Sequence, residues 1–200
     1  MHIHCLLFED YETLDLMGPV QLLSHAPGAC LHYGSRAGGL VASRQGFGVQ
    51  THALPARLPA DSVLLVPGGQ GTRALVSDAP FLHALRGWAD SARLCLSVCT
   101  GAALLAACGA LDGEAATSNK KAFDWVRAQG PAVRWQAVAR WVRSGKFYTS
   151  SGVSAGMDMA LAFVADTHGR AEAERIACHA EYHWQQDPVH DPFAALHGLA

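Results

Sequence analysis

A chain of 200 residues, half of them hydrophobic and 16% charged, can form one globular domain with a sizeable core and is too apolar to be disordered. With a formal net charge of −2, the chain has no excess of positive charge with which to bind nucleic acid or an anionic membrane surface. No apolar run reaches the roughly 20 residues of a membrane span, and residues 1–8 lack the features of a signal peptide. We therefore expect a cytoplasmic protein with one domain over residues 1–200, its core at about 3–187 and an extension at 188–200.

Short apolar runs along the chain predict the strands of a sheet that is covered on both faces. Residues 2–8, 62–67 and 93–98 read as fully buried strands, each followed by turn or helix-start residues. Residues 30–35 and 47–52 predict two shorter strands.

Helical segments alternate with these strands, and Pro19 is expected near a kink or boundary of the first. The predicted helices cover residues 12–25, 78–91, 100–108, 119–129, 154–167 and 170–184. Residues 138–143 and 146–149, joined by Ser144 and Gly145, predict a hairpin.

This alternation predicts right-handed βαβ crossovers and therefore an α/β fold, a three-layer sandwich with a doubly wound, mainly parallel sheet of the flavodoxin-like kind. Ligand sites in such sheets lie outside the carboxyl ends of the strands. Two turns fall there, at Gly68–Gly71 and at Cys99, so we expect the functional site where they meet.

Cys99 stands in Ser97-Val98-Cys99-Thr100-Gly101, where a buried strand passes into a helix. The pattern small-x-nucleophile-x-small is typical of a nucleophile elbow, a turn so tight that only small residues fit two positions before and after the nucleophile. A cysteine at a helix N-terminus meets free N–H groups that favour its thiolate. The alternative is a buried cysteine in a joint of small residues.

Gly68 and Gly69 end the preceding buried strand, after Pro67. Their backbone can approach a ligand closely, and Gly69 N–H together with Thr100 N–H would form a two-donor oxyanion hole. A plain strand-ending turn is the alternative.

Asp15 lies among apolar residues and is interpreted either as a helix cap or as a functional acid, with Glu12 as its competitor. His179 and His183 have i, i+4 spacing but no evident third ligand, so we predict no metal site. His2 and His4 share one side of the first strand and are expected to pack or hydrogen-bond at the sheet.

Taken together, these segments resemble the ThiJ/PfpI superfamily, which has the class I glutamine amidotransferase-like fold. The resemblance covers about residues 3–193 and rests on an ordered set of motifs, at Leu14–Pro19, Val66–Gly69, Ser97–Gly101, Gly109–Gly113 and Thr149–Asp158.

Within the superfamily, the first and last of these motifs look most like the isocyanide hydratase branch. The resemblance implies a lyase without a cofactor, in which Cys99 is the nucleophile, Asp15 the acid/base group, and Gly69 and Thr100 provide oxyanion-type contacts. It also implies a small-molecule substrate with a C–N unit, an N-substituted formamide as product, and a homodimer. The alternatives within the superfamily are redox sensing through oxidation of Cys99 and glyoxalase-like chemistry on a small carbonyl.

The sequence departs from the hydrolase relatives at Asn119, where amidotransferase-like and protease-like members carry a histidine. Asparagine cannot accept a proton as a general base, so a Cys-His peptidase is not expected. Regulators that use this domain append a helix-turn-helix segment. Because this chain ends at Ala200, we do not expect a transcriptional regulator.

Overall fold

A computed structural model describes residues 1–200 and contains an eight-stranded sheet, a separate two-stranded sheet and eight helices. The strands are β1 (His2–Leu6), β2 (Cys30–Ser35), β3 (Gly39–Ala42), β4 (Gly48–Ala53), β5 (Val63–Val66), β6 (Leu94–Val98), β7 (Ala115–Ala116), β8 (Arg134–Trp135), β9 (Trp141–Ser144) and β10 (Phe147–Ser150).

The helices are α1 (Thr13–Leu23), α2 (Thr72–Leu75), α3 (Ala79–Ser91), α4 (Gly101–Ala107), α5 (Phe123–Ala128), α6 (Ala155–His168), α7 (Arg170–His179) and α8 (Phe193–Leu196). Helix α6 packs against α1 and α7, and α4 packs against α2, α3 and α5. None of the eight combines the length and the apolar character needed to cross a bilayer.

The main sheet has the strand order β3-β4-β2-β1-β5-β6-β10-β9, with parallel pairing from β4 to β10 and antiparallel edge strands β3 and β9. The run β2-β1-β5-β6-β10 is the flavodoxin-like order, in which the strand order reverses between β1 and β5, because β2 is added on one side of β1 and β5 on the other. Every residue of β5 is buried, as the continuous apolar run predicts for a strand covered on both faces. The predicted α/β sandwich with a doubly wound, mainly parallel sheet is confirmed.

Two helix boundaries differ from the prediction by more than two residues. The helix expected over 170–184 ends at His179, because Tyr182 leaves the helical path to donate a hydrogen bond of 2.9 Å to Asp158. His183 therefore lies beyond the helix and does not share a helical face with His179. The helix expected over 119–129 begins only at Phe123, since the Asn119 side chain accepts the Ala122 N–H and holds the preceding residues in a turn.

The C-terminal residues 188–200 are attached to the body of the molecule. Asp191 is buried and lies 3.6 Å from the guanidinium of Arg140, and the Pro188 carbonyl accepts the Arg140 N–H. Ala194, in the short α8, is also buried. The tail thus closes over the β9 end of the sheet.

Candidate active site

Cys99 occupies the turn between β6 and α4, with a left-handed backbone φ of 56°. Its N–H donates to the Ser151 carbonyl at 3.2 Å, and its carbonyl accepts the Ser118 hydroxyl at 2.7 Å. A Cβ atom on Gly101 would lie 2.4 Å from the Val66 carbonyl oxygen, so no larger residue fits there. The geometry is that of the predicted elbow, with a non-glycine residue held in a strained conformation by its neighbours.

Asp15 lies fully buried in the first turn of α1, pointed at the glycine turn rather than at the end of its own helix. Its Oδ2 accepts the Gly68 N–H at 3.1 Å, and its Oδ1 has no hydrogen-bond partner of ordinary geometry. A Cβ on Gly68 would come within 2.7 Å of Oδ2, so glycine is required for this approach. The helix-cap interpretation of Asp15 is wrong.

Burial raises the pKa of Asp15 to about 7, while contact with Cys99 and the backbone of Gly68 opposes the rise. Burial also raises the pKa of Cys99 well above its ordinary value, and the negative charge of Asp15 adds to this. Hydrogen bonds from the N–H groups of Thr100 and Val153 act the other way. The thiolate-favouring effect expected of the helix start is therefore present in the Thr100 N–H, but burial and the carboxylate neighbour outweigh it. The pair retains at least one proton at neutral pH.

The two glycine amides have partners inside the protein. Gly68 N–H donates to Asp15, and Gly69 N–H donates to the Thr100 hydroxyl at 3.0 Å. That hydroxyl also contacts Thr72 Oγ1 at 3.2 Å. Thr100 N–H remains directed at the sulfur, so it is the amide best placed to meet a substrate atom bound to Cys99.

Val153 is a part of the site that the sequence analysis did not assign. It lies in the loop between β10 and α6 with a φ of 45°, and its backbone lowers the pKa of both Cys99 and Asp15. The motif that carries the family resemblance includes this residue, but its role comes from a backbone N–H group, which every residue except proline carries. Only the fold could reveal it.

A pocket of about 540 Å³ opens over Cys99. Its lining comprises Glu12, Arg44, Gly69, Gln70, Arg73, Cys99, Thr100, Asn119, Lys121, Ala122 and Val153. No histidine is among them, and Asn119 is one of the lining residues. A second cavity of about 220 Å³ adjoins it and shares Asn119, Lys121 and Val153.

The histidines of the first strand lie at the opposite end of the sheet. His2 Nδ1 is 2.9 Å from His32 Nε2, and His4 stacks on the same ring, as the predicted packing at the sheet requires. His2, His32 and Cys30 have potential metal-ligand atoms within 4.8 Å of one another. This group lies at the other end of the sheet from Cys99. It therefore takes no part in the site formed by Cys99 and Asp15.

The chain is similar in sequence to proteins of a known family. Residues 1–166 match the DJ-1/PfpI family. Isonitrile hydratase from Pseudomonas putida is 32% identical over 182 residues, 91% of this chain and 78% of that protein.

Solved structures with the same fold include members of this family. A ThiJ/PfpI family protein from Pseudomonas syringae is 32% identical with a TM-score of 0.81, over 90% of this chain and 74% of that one. Drosophila melanogaster DJ-1beta, at 18% identity and a TM-score of 0.74 over 92% of this chain and 98% of that one, is similar in fold.

Proposed function

Because this chain belongs to the DJ-1/PfpI family, we propose that it is an isonitrile (isocyanide) hydratase, a lyase that adds water to a small isonitrile and releases an N-substituted formamide. The observation that carries the proposal is the buried carboxyl of Asp15 beside Cys99 at the elbow, in a pocket lined by no histidine. A nucleophile paired with one proton carrier is what this addition requires.

In the first step, the Asp15 carboxylate takes the thiol proton and the Cys99 sulfur bonds to the terminal carbon of the isonitrile. Asp15 then returns that proton to the same carbon, which gives a thioimidate, R–N=CH–S–Cys99. Asp15 suits both transfers because its pKa of about 7 is close to neutral pH.

In the second step, a water molecule adds to the thioimidate carbon while the nitrogen gains a proton. The tetrahedral intermediate R–NH–CH(OH)–S–Cys99 then releases the sulfur as the C–S bond breaks, and the thiol is restored by the remaining proton. The overall balance is one isonitrile and one water to one formamide. No cofactor is needed.

Thr100 and the glycine turn position the reacting groups in this mechanism. Thr100 N–H stabilises negative charge at the sulfur and at the atom attached to it. Gly68 N–H holds the Asp15 carboxyl in place. Gly69 N–H donates to the Thr100 hydroxyl, so this N–H would have to break that hydrogen bond before it could act as an oxyanion donor.

We further propose that the enzyme works as a cytoplasmic homodimer on a small molecule. The free state of all six cysteines, Cys99 included, supports a reducing compartment. The dimer is supported by the family resemblance.

The test is the hydration of a simple alkyl or aryl isonitrile by wild type, Cys99→Ala and Asp15→Asn, followed by appearance of the formamide. We expect no turnover for Cys99→Ala, and a loss of about 10²–10⁴-fold for Asp15→Asn, the usual contribution of a general acid–base. Cys178→Ala removes an exposed cysteine and serves as the matched control.

The alternative functions are outcomes of the same experiment. Activity on methylglyoxal without activity on isonitriles would replace hydration by glyoxalase-like chemistry. Silence on both substrates, with rapid peroxide oxidation of Cys99, would favour a redox protein. The raised pKa of Cys99 argues against the latter, because the thiolate is the form that is oxidised.

A further inference from the structure

The pocket over Cys99 carries an excess of positive charge. Three basic side chains line it, Arg44, Arg73 and Lys121, against the single acid Glu12. The chain as a whole has a net charge of −2, so this balance is local to the pocket.

The lining charges differ in how they are already engaged. Arg44 lies 3.9 Å from Asp10, and Glu12 accepts a hydrogen bond of 2.6 Å from Gln45. Arg73 and Lys121, by contrast, are in no salt bridge of the structure. These two cations are free to meet an anion that enters the pocket.

Arg73 is also held in place. Its guanidinium carbon lies 3.5 Å from the centre of the Trp125 ring, which fixes the plane of the group between α2 and α5. A stacked guanidinium keeps the N–H groups along its edge available, and this edge matches the two oxygens of a carboxylate. Burial lowers the pKa of Arg73, and a negative charge that forms on Cys99 acts in the opposite direction, so the guanidinium lies within electrostatic range of the sulfur.

We propose that Arg73, oriented by Trp125 and assisted by Lys121, binds an anionic group of the substrate, and that the preferred substrate is an isonitrile that bears a carboxylate. The choice of isonitrile rests on the function proposed above. The anion subsite itself rests on the pocket alone, and the two are tested separately.

The subsite is tested without turnover, by alkylation of Cys99 with iodoacetate and with iodoacetamide. These reagents differ in charge and little in size, and peptide mass spectrometry gives their rate ratio at each cysteine. We expect the iodoacetate-to-iodoacetamide ratio at Cys99 to exceed that at the exposed Cys178 of the same chain by about tenfold, the effect of one charge-assisted contact. Arg73→Gln should remove most of this preference.

Arg57→Gln is the matched control, because it removes the same charge from an exposed arginine that lines a different pocket. It should leave the ratio at Cys99 unchanged. The subsite is overturned if Cys99 shows no preference for iodoacetate relative to Cys178, or if Arg73→Gln and Arg57→Gln behave alike.

The substrate class is tested with isocyanoacetate and its methyl ester, which share the reacting group and differ in charge. We expect kcat/KM to be about tenfold higher for the acid in wild type and similar for the two in Arg73→Gln. Equal or faster hydration of the ester by wild type would overturn the carboxylate preference and leave the hydratase function standing. Hydration of neither compound, with the alkylation preference intact, would overturn the hydratase function and leave the anion subsite standing.

Discussion

At the scale of single residues, the site depends on the sharing of protons between two buried groups. Glu12 and Asp15 both lie at the start of α1, yet only Asp15 is fully buried and bonded to the glycine turn. Burial disfavours two negative charges side by side, so the Cys99–Asp15 pair gives up its last proton only well above neutral pH. The nucleophile is thus formed by transfer within the pair.

This sharing predicts the pH dependence of turnover. Below the pKa of Asp15, about 7, the pair holds two protons and has no base, so kcat/KM should rise with pH through about 7. The plateau should extend above pH 9, since the pKa of Cys99 is raised. The residual kcat/KM of Asp15→Asn should not show this rise near pH 7. A wild-type profile that falls between pH 6 and 8 would contradict the assignment.

The same carboxyl predicts a pH-dependent change in stability. The pKa of Asp15 is raised from 3.8 to about 7 in the folded chain, so its burial carries no ionisation penalty below pH 4 and destabilises the fold progressively as pH rises to 7. Asp15→Asn keeps the acceptor for Gly68 N–H and should be more stable than wild type by about 4 kcal/mol at pH 8, with little difference at pH 4. Urea unfolding at the two pH values measures this, and equal midpoints at pH 8 would show that the carboxyl is not desolvated.

Asn119 leads to a prediction about a reaction that should be absent. The pocket has no histidine to activate Cys99 for peptide hydrolysis, and Asn119 cannot serve as a base. Purified protein should leave casein intact over hours. Degradation that disappears in Cys99→Ala would contradict this account.

At the scale of elements, a buried ionic cluster holds the loop that supplies Val153. Arg140 precedes β9 and bonds Asp158 of α6 through Nε at 2.7 Å and Nη2 at 2.6 Å. The other carboxylate oxygen of Asp158 accepts Tyr182 OH and Gln185 N–H, both at 2.9 Å. The Asp of the last family motif is therefore a structural residue, which fixes the start of α6 and with it the edge of the active site.

Removing one member of this cluster should cost much more than removing a surface ion pair. Arg140→Ala leaves Asp158 buried and uncompensated, for an expected loss of about 3–5 kcal/mol in the free energy of unfolding. Arg143→Ala breaks an exposed pair with Asp166 of 3.0 Å and should cost about 0–1 kcal/mol. Denaturant midpoints of the two variants give the comparison, and equal losses would refute the role of the cluster.

The elements that were predictable from sequence are those whose signal is local. The buried runs that became β5 and β6, and the small residues around Cys99, carry their conformation within five or six positions. The end of α7 was not predictable, because Tyr182 is drawn away by Asp158, 24 positions earlier. The stacking of Arg73 on Trp125 was equally out of reach, since it joins two short helices far apart in the chain.

At the scale of the whole molecule, the sheet order explains why the site forms where it does. The strand order reverses between β1 and β5, and the segments that follow β1, β5 and β6 meet at that point. They contribute Asp15, the Gly68–Gly69 turn and Cys99, respectively. The position of the site follows from the topology, and its chemistry from the side chains brought there.

The homodimer is a prediction at this scale. One chain has a mass of 21.2 kDa, so light scattering on a sizing column should give about twice that value at micromolar concentration. A mass that stays at that of one chain over the accessible concentration range would exclude the dimer.

The central claim is that Cys99 forms a covalent bond to the substrate carbon and that Asp15 manages the protons. Intact-protein mass spectrometry of acid-quenched reactions tests this most directly, with isocyanoacetate mixed with wild type, Asp15→Asn and Cys99→Ala. We expect one substrate mass added to the chain and mapped to Cys99, in wild type during turnover, and no adduct on Cys99→Ala. Formamide production by wild type with no adduct at any quench time, and continued turnover by Cys99→Ala, would contradict the account.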